Sequence, residues 1–432
     1  MDKNRIHLFR RRRETDKRYR RYVRCLTVIL LSVVMLCAGC TGKDAVGSSA
    51  GGSGEQTAAA DSRQTEAGSN TEAAPKTETA ATASRSWSNM SPVSSMDLLY
   101  ADQFSVDYYE NDISLITIGD TDQFLLLPEG MSAPVGLPDS IKILQKPVKN
   151  IYLVATSAMD DFIHLDAMDL IALSGTKDTG WYLPEAKTAM EEGKIAYAGK
   201  YSAPDYEKIL SSDCGLAVES TMIYHTPEVK EQLERLGIPV LVERSSYEGH
   251  PLGRMEWIRL YGVLTGKEAE AEQVFRENMD ALSDVLDMEP SGKTAAFFYV
   301  TNSGSVNVRK NGDYIAKMIA LAGGTYIPGN AGSDENALST MNMDFESFYA
   351  AAKDADVLIY NSTIDGELTA IDELCAKNQL FADFKAVKEG NVWCTGKNMF
   401  QETMGLGDMI RDMNAVFADD TEYSFTYLHQ LK

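Results

Sequence analysis

Ile238-Pro239-Val240-Leu241-Val242, then a polar loop over 243–250, then an apolar-periodic run over 251–288, is the stretch that decides how this chain divides. The first five residues are apolar and largely β-branched, the composition of a buried strand. From Pro251 the spacing turns helical: Leu252, Trp257, Leu260, Tyr261 and Leu264 recur three to five residues apart. A second period runs through Ala269, Val274, Phe275, Met279, Leu282 and Leu286. Thr265-Gly266 marks a break, so the pattern predicts a second, longer helix over 267–287. One strand and roughly nine turns of helix thus stand between two halves of comparable length. A helical connection, unlike a Gly/Ser linker, suits two lobes held at a nearly fixed distance with a cleft between them. The same pattern also fits the last crossover of one large α/β domain.

Outward from this stretch, 432 residues with 44% hydrophobic content provide for about two or three domains and a sizeable core. Residues 1–24 are rich in Arg and Lys, 25–38 form an apolar run, and Gly39-Cys40 ends it. This is the order of a secretory signal, and the apolar run is short for a membrane span. Leu36-Cys37-Ala38-Gly39-Cys40 resembles a bacterial lipobox, departing from the usual pattern at Cys37; the resemblance implies cleavage before Cys40 and lipidation of its thiol. Residues 1–39 carry 11 Lys+Arg against 3 Asp+Glu, so their removal takes the net charge from −22 to −30. Such an acidic body argues against nucleic acid and against docking on an anionic bilayer. Membrane attachment then rests on the lipid. Cys214, Cys375 and Cys394 remain, without CxxC spacing, so an ordinary core replaces a disulfide scaffold; Cys375 with Cys394 is the conceivable pair, unpaired thiols the expectation.

Residues 40–95 are Gly, Ser, Thr, Ala and Glu with almost no large apolar side chain, a composition that predicts a disordered tether. At about 5–6 Å × √n it holds a globular body some 40 Å from its anchor. A β-rich extension follows over 96–147, with 113–118 and 124–128 flanking Gly119-Asp120-Thr121-Asp122 as a hairpin. Strands and helices alternate from Ile151 onward: 151–157, a helix over 158–168, then 171–174, 216–218 and 238–242. The second half repeats the plan with strands at 295–300, 356–362 and 391–394 and a helix over 314–322. This order predicts an α/β fold of two lobes, 148–250 and 290–432, each a parallel sheet flanked by helices, joined over 251–289. Asp205-Tyr206-Glu207 and Asp344-Phe345-Glu346 each open a helix that leads to a strand, once per half.

From Val148 to the C-terminus these features together resemble the solute-binding proteins of bacterial ABC importers for iron complexes, haem and cobalamin. The residues that carry the resemblance are the lipobox, the paired Asp-aromatic-Glu segments, 314–324 with its Ala-Gly-Gly ending, and Ala386-Val387-Lys388-Glu389-Gly390-Asn391-Val392. The extension is not part of that family's core. The resemblance implies a monomeric receptor without cofactor, partnered by a permease dimer and its ATPase. Glu207 and Glu346 then dock into arginine pockets, where a bidentate guanidinium suits a carboxylate. Asp205 and Asp344 also read as helix N-caps, with which a first-turn Glu is compatible.

The ligand, a chelated metal or macrocycle, is expected between the lobes at the C-terminal ends of the parallel strands. The residues on those loops are Thr156, Ser157, Trp181, Tyr182, Ser220, Tyr224, Ser246, Tyr247, His250, Asn302, Arg309, Asn361 and Met399. They offer aromatic faces and a few donors. A receptor for bare Zn or Mn requires about three His and a carboxylate in convergence. His164, His225, His250 and His429 are scattered instead, so no metal site is assigned. No GxSxG or HExxH is present, and Ser291-Gly292-Lys293-Thr294 ends like a phosphate loop without its first Gly. The reading is therefore a receptor, with a hydrolase built on Ser246 and His250, or a tethered sensor or surface module, as alternatives.

Overall fold

The structure, a computed structural model, describes residues 85–329 and 340–432; the segment read as signal peptide, Cys40, and the tether as far as 84 lie outside the described residues. The tether ends earlier than the composition indicated. Trp87 N–H donates to the Val135 carbonyl at 2.9 Å and Val135 N–H to that of Arg85 at 2.7 Å, which joins 85–95 to the folded body.

The extension is a five-stranded sheet of β1 (Ser94–Ser95), β2 (Phe104–Tyr109), β3 (Ile113–Ile118), β4 (Asp122–Pro128) and β5 (Ile141–Lys146), in that spatial order. It is antiparallel through β4 and parallel between β4 and β5. The N-terminal lobe contains β6 (Ile151–Leu153), β7 (Ile171–Ser174), β8 (Ala196–Tyr197), a small hairpin of β9 (Gly199–Lys200) with β10 (Ala203–Pro204), β11 (Leu216–Ser220) and β12 (Val240–Glu243). Its sheet runs β12-β11-β6-β7-β8, all parallel. Helices α1 (Ala158–His164), α2 (Pro184–Glu191), α3 (Tyr206–Ser211) and α4 (Pro227–Arg235) alternate with these strands. The helix predicted over 158–168 is shorter, because Asp166 takes a left-handed conformation (φ 48°). β12 is the outermost strand of its sheet, yet all four of its residues are buried, because β3 of the extension packs beside it and covers an otherwise open edge.

The connector is helical, as the periodicity required, but it forms four pieces: α5 (Pro251–Met255), α6 (Ile258–Thr265), α7 (Glu268–Ala281) and α8 (Ser283–Leu286). Gly266, at φ 75°, caps α6 in a left-handed conformation and turns the chain so that α6 packs on α7. The approach is close: a Cβ at Gly262 would lie 2.6 Å from that of Ala271.

The C-terminal lobe comprises β13 (Thr294–Val300), β14 (Val306–Arg309), α9 (Tyr314–Leu321), β15 (Thr325–Ile327), β16 (Thr340–Met343), α10 (Phe345–Ala352), β17 (Val357–Tyr360), α11 (Ile371–Lys377), α12 (Lys385–Lys388), β18 (Val392–Thr395), α13 (Leu406–Ala418) and β19 (Leu428–Gln430). The sheet order is β16-β14-β13-β17-β18-β19, with β15 beside the start of β13. β15, β13, β17 and β18 are parallel, whereas β14, β16 and β19 pair antiparallel.

One apolar core runs through the extension, both lobes and the connector, joining Phe104, Phe124, Phe162, Trp257, Tyr261, Ile315, Met318 and Met409. Phe104 meets Trp257 edge-on at 5.1 Å, and Phe162 meets Tyr261 at 5.2 Å. Separate clusters fill the outer faces of the C-terminal sheet and the N-terminal sheet. The extension is bound to this body by two buried carboxylates. Glu256 accepts N–H groups of Leu99, Tyr100 and Ala101 at 2.7–2.8 Å, and Glu248 accepts those of Asp102 and Gln103 and Nε1–H of Trp257. Cys214, Cys375 and Cys394 are free thiols.

Glu219 breaks the pattern of β11. It is fully buried, shares with Ala217 the face toward the outer apolar cluster, and neither carboxyl oxygen has a hydrogen-bond partner among the described residues. Burial pushes its pKa up to about 8. The folded state therefore keeps the proton that the unfolded chain releases near pH 4.5. Stability from this group is complete below the unfolded value and is lost as pH rises toward 8. Glu219→Met is expected to gain on the wild type by about 1.4 kcal/mol per pH unit between pH 5 and 8 in urea unfolding. Parallel pH profiles of the two proteins would contradict this.

Candidate ligand-binding cleft

The strands β6, β7, β17 and β18 all end at one cleft, and their following loops line it. Thr156 and Tyr182 come from the N-terminal lobe; Ser362, Thr363, Ile364, Gly366, Lys397, Phe400 and Gln401 come from the C-terminal lobe. The volume is about 360 Å³. Tyr182 is 47% exposed and Ile364 67% exposed, an apolar surface that the fold leaves open at this point. In a chain of net charge −22, these nine lining residues include one ammonium group and no carboxylate. Lys397 Nζ lies 6.0 Å from the centroid of the Tyr182 ring.

The walls are tied across the cleft. Tyr182 N–H donates to Gln401 Oε1 at 2.7 Å, and Gln401 Nε2 donates to the Gly180 carbonyl at 2.9 Å. Thr403 Oγ1 donates to the Ser157 carbonyl, and Met404 N–H to Asp160 Oδ2 at 2.7 Å. Below them lies a buried polar cluster of Asp160, Asp161, Glu243 and Arg254. Burial pushes Asp160 up to about 6 and raises Asp161 and Glu243 as well. Arg254, from the connector, stacks on the Tyr314 ring of the C-terminal lobe at 4.2 Å.

Of the loop residues singled out from sequence, Thr156 and Tyr182 line the cleft. Trp181 does not, being 1% exposed with Nε1–H on Ser174 Oγ; its neighbour takes the cleft position. Met399 is likewise buried, and Phe400 stands in its place. Ser157 is occupied structurally, donating to Glu243 Oε2 at 3.2 Å. Asn361 is buried and accepts from Thr363 N and Oγ1, which shapes the loop after β17. Arg309 lies behind Phe400, 5.7 Å from its ring centroid and 3.6 Å from Asp313. His250 caps α5 by accepting from Leu252 N and stacks on Tyr100 at 4.9 Å, a structural role. Asn302 is exposed in the turn between β13 and β14. Ser220 ends β11, Tyr224 follows it, and Ser246 and Tyr247 follow β12, with Ser246 Oγ 3.4 Å from Thr221 Oγ1. Among the described residues, no group of three or more His, Cys, Asp or Glu is placed to hold a metal.

Glu207 and Glu346 are both exposed and hold equivalent positions. Each is the second residue of its helix, α3 or α10, behind an Asp whose carboxylate caps it: Asp205 accepts from Lys208 N at 3.1 Å and Asp344 from Ser347 N at 2.7 Å.

Two α/β lobes, a helical connector and a cleft at the facing strand ends define a two-lobed binding protein. Residues 155–399, more than half of the chain, match the periplasmic binding protein family, and the chain belongs to it. A relative from Methanocaldococcus jannaschii, an uncharacterized lipoprotein, is 26% identical over 334 residues, covering 70% of this chain and 77% of its own length. Among solved structures, a periplasmic haem-binding protein from Pseudomonas aeruginosa is similar at 15% identity and TM-score 0.50, over 66% of this chain and 98% of that one. The TroA-like periplasmic binding protein FepB from Veillonella parvula is similar at 14% identity and TM-score 0.50, over 66% and 96%. At these identities the likeness is one of fold. The extension precedes the matched residues.

Proposed function

We propose that this protein is an extracytoplasmic receptor, anchored by a lipid on Cys40, that captures an iron complex in the interlobe cleft. The complex, a siderophore or haem, is then passed to the permease dimer and ATPase of an ABC importer, with Glu207 and Glu346 as the two docking points. The observation that carries the reading is the cleft itself, a space at the strand ends with aromatic and hydroxyl walls, one ammonium and no carboxylate. Such a lining suits a large chelate and disfavours a bare cation. Family membership supports a binding role, and the lipoprotein relative supports the anchor.

A thermal-shift panel tests the reading with haemin, ferric siderophores, cobalamin and divalent metals, each in large excess over the purified protein. One class is expected to stabilise the fold by about 2.7 kcal/mol at 100 times its dissociation constant. A panel without any shift would move the weight to a sensor or surface module.

A further inference from the structure

The extension reaches the binding face. β12 ends at Glu243, and the next residue, Arg244, projects to where β3 of the extension turns at Gly119. Gly119 lies at φ 60°, and a Cβ there would sit 3.4 Å from Arg244 Nε. Gln103, also of the extension, accepts from Arg244 Nε at 3.1 Å and Nη2 at 2.9 Å. Its backbone is itself held by Glu248. Arg244 Nη1 donates to the Tyr224 hydroxyl at 3.2 Å, and the guanidinium lies 4.7 Å from the centroid of Tyr247. Among the described residues no carboxylate pairs with Arg244. Three of its five N–H groups are used, which leaves one each on Nη1 and Nη2 for a further acceptor such as an oxyanion.

Because β6, β7, β11 and β12 are parallel, the loops that carry Tyr224 and Arg244 leave the same end of the sheet as Thr156 and Tyr182. Three strand spacings, about 14 Å, separate β12 from β7, beside whose loop Lys397 stands. Tyr224 is 44% exposed here.

We infer that Arg244, locked in place by Gln103 of the extension and flanked by Tyr224 and Tyr247, is an anion-recognising subsite at the rim of the cleft. With Lys397 it selects a chelate that carries anionic groups at its periphery. This inference rests on the receptor reading above and gives the extension its role: Gln103 is a positioning residue that fixes the guanidinium and leaves its two unused N–H groups for an incoming oxyanion. The extension thus serves recognition without touching the ligand.

The test compares two pairs of probes on the full-length protein by fluorescence titration: haemin with its dimethyl ester, and a ferric tricatecholate with a ferric trihydroxamate. In each pair the first member is the more anionic. The wild type is expected to prefer it. Arg244→Ala is expected to weaken binding of that member by about 10- to 100-fold and to leave the other within about twofold. Arg244→Lys retains the charge but not the guanidinium and falls between. Gln103→Ala is expected to lower the anionic-to-neutral affinity ratio about threefold or more, a readout that a purely structural role would not move. Equal affinities within the pair that binds, or an unchanged ratio in Arg244→Ala, overturn the inference. Binding of no probe to the wild type overturns the iron-complex reading on which the inference rests.

Discussion

Glu256→Ala is expected to destabilise the protein by about 3–5 kcal/mol, because it removes one side of a buried, hydrogen-bonded charge network. Glu256 is fully buried and accepts three successive backbone N–H groups, while Arg259 Nη1 lies 3.0 Å from the same carboxylate. Alanine removes the acceptor that these three N–H groups and the Arg259 guanidinium share. A loss of that size is a large part of a typical domain's net stability of about 5–15 kcal/mol. Urea unfolding would measure it, and hydrogen exchange should accelerate first over 99–103, the residues that Glu256 and Glu248 hold. If exchange there stayed as slow as in the wild type, packing of Phe104 on Trp257, rather than the carboxylates, would be what retains the extension.

The second large effect concerns transport. On the proposed importer role, Glu207→Ala and Glu346→Ala are each expected to cut permease-dependent uptake by about tenfold or more, since a charge-assisted hydrogen bond contributes about 1.5–3 kcal/mol. Ligand affinity should not change, because both side chains are exposed and neither lines the cleft. The caps Asp205 and Asp344 stay in place, so helix stability is retained. Uptake that survives both substitutions in a protein that still binds ligand would remove the docking assignment.

Much of the fold was legible where a local rule and a tertiary demand coincide. The run at 295–300 reads as a buried strand and is one, and the two Asp caps were visible because capping needs only a short side chain three residues before an N–H. The cleft was legible only to the level of loops. Trp181 and Tyr182, or Met399 and Phe400, are adjacent and equally apolar, and which of each pair faces inward depends on how the backbone turns after the strand. Gln401, which bridges the lobes, carries no local signal, since its partners Gly180 and Tyr182 lie some 220 residues away. The same holds for Glu256 and the extension, and for Arg244, whose meaning comes from Gln103, 141 residues earlier. The sequence pattern found the helical connector and its break at Thr265-Gly266, but not the breaks at Glu256-Trp257 and Leu282. Trp257 keeps the apolar spacing across the gap between α5 and α6, so the pattern continues where the helix does not.

On the proposed importer role, the core shared by both lobes and the connector has a consequence for traffic at the membrane. A body that is packed through its middle resists lobe rotation, so the separation of the two proposed docking points, Glu207 and Glu346, is expected to be nearly the same whether the cleft is full or empty. A permease that reads only this separation accepts empty and loaded receptors alike, and the two compete for it. Discrimination then has to reside in the cleft mouth, and the flux delivered depends on the fraction of receptors that are loaded rather than on their number.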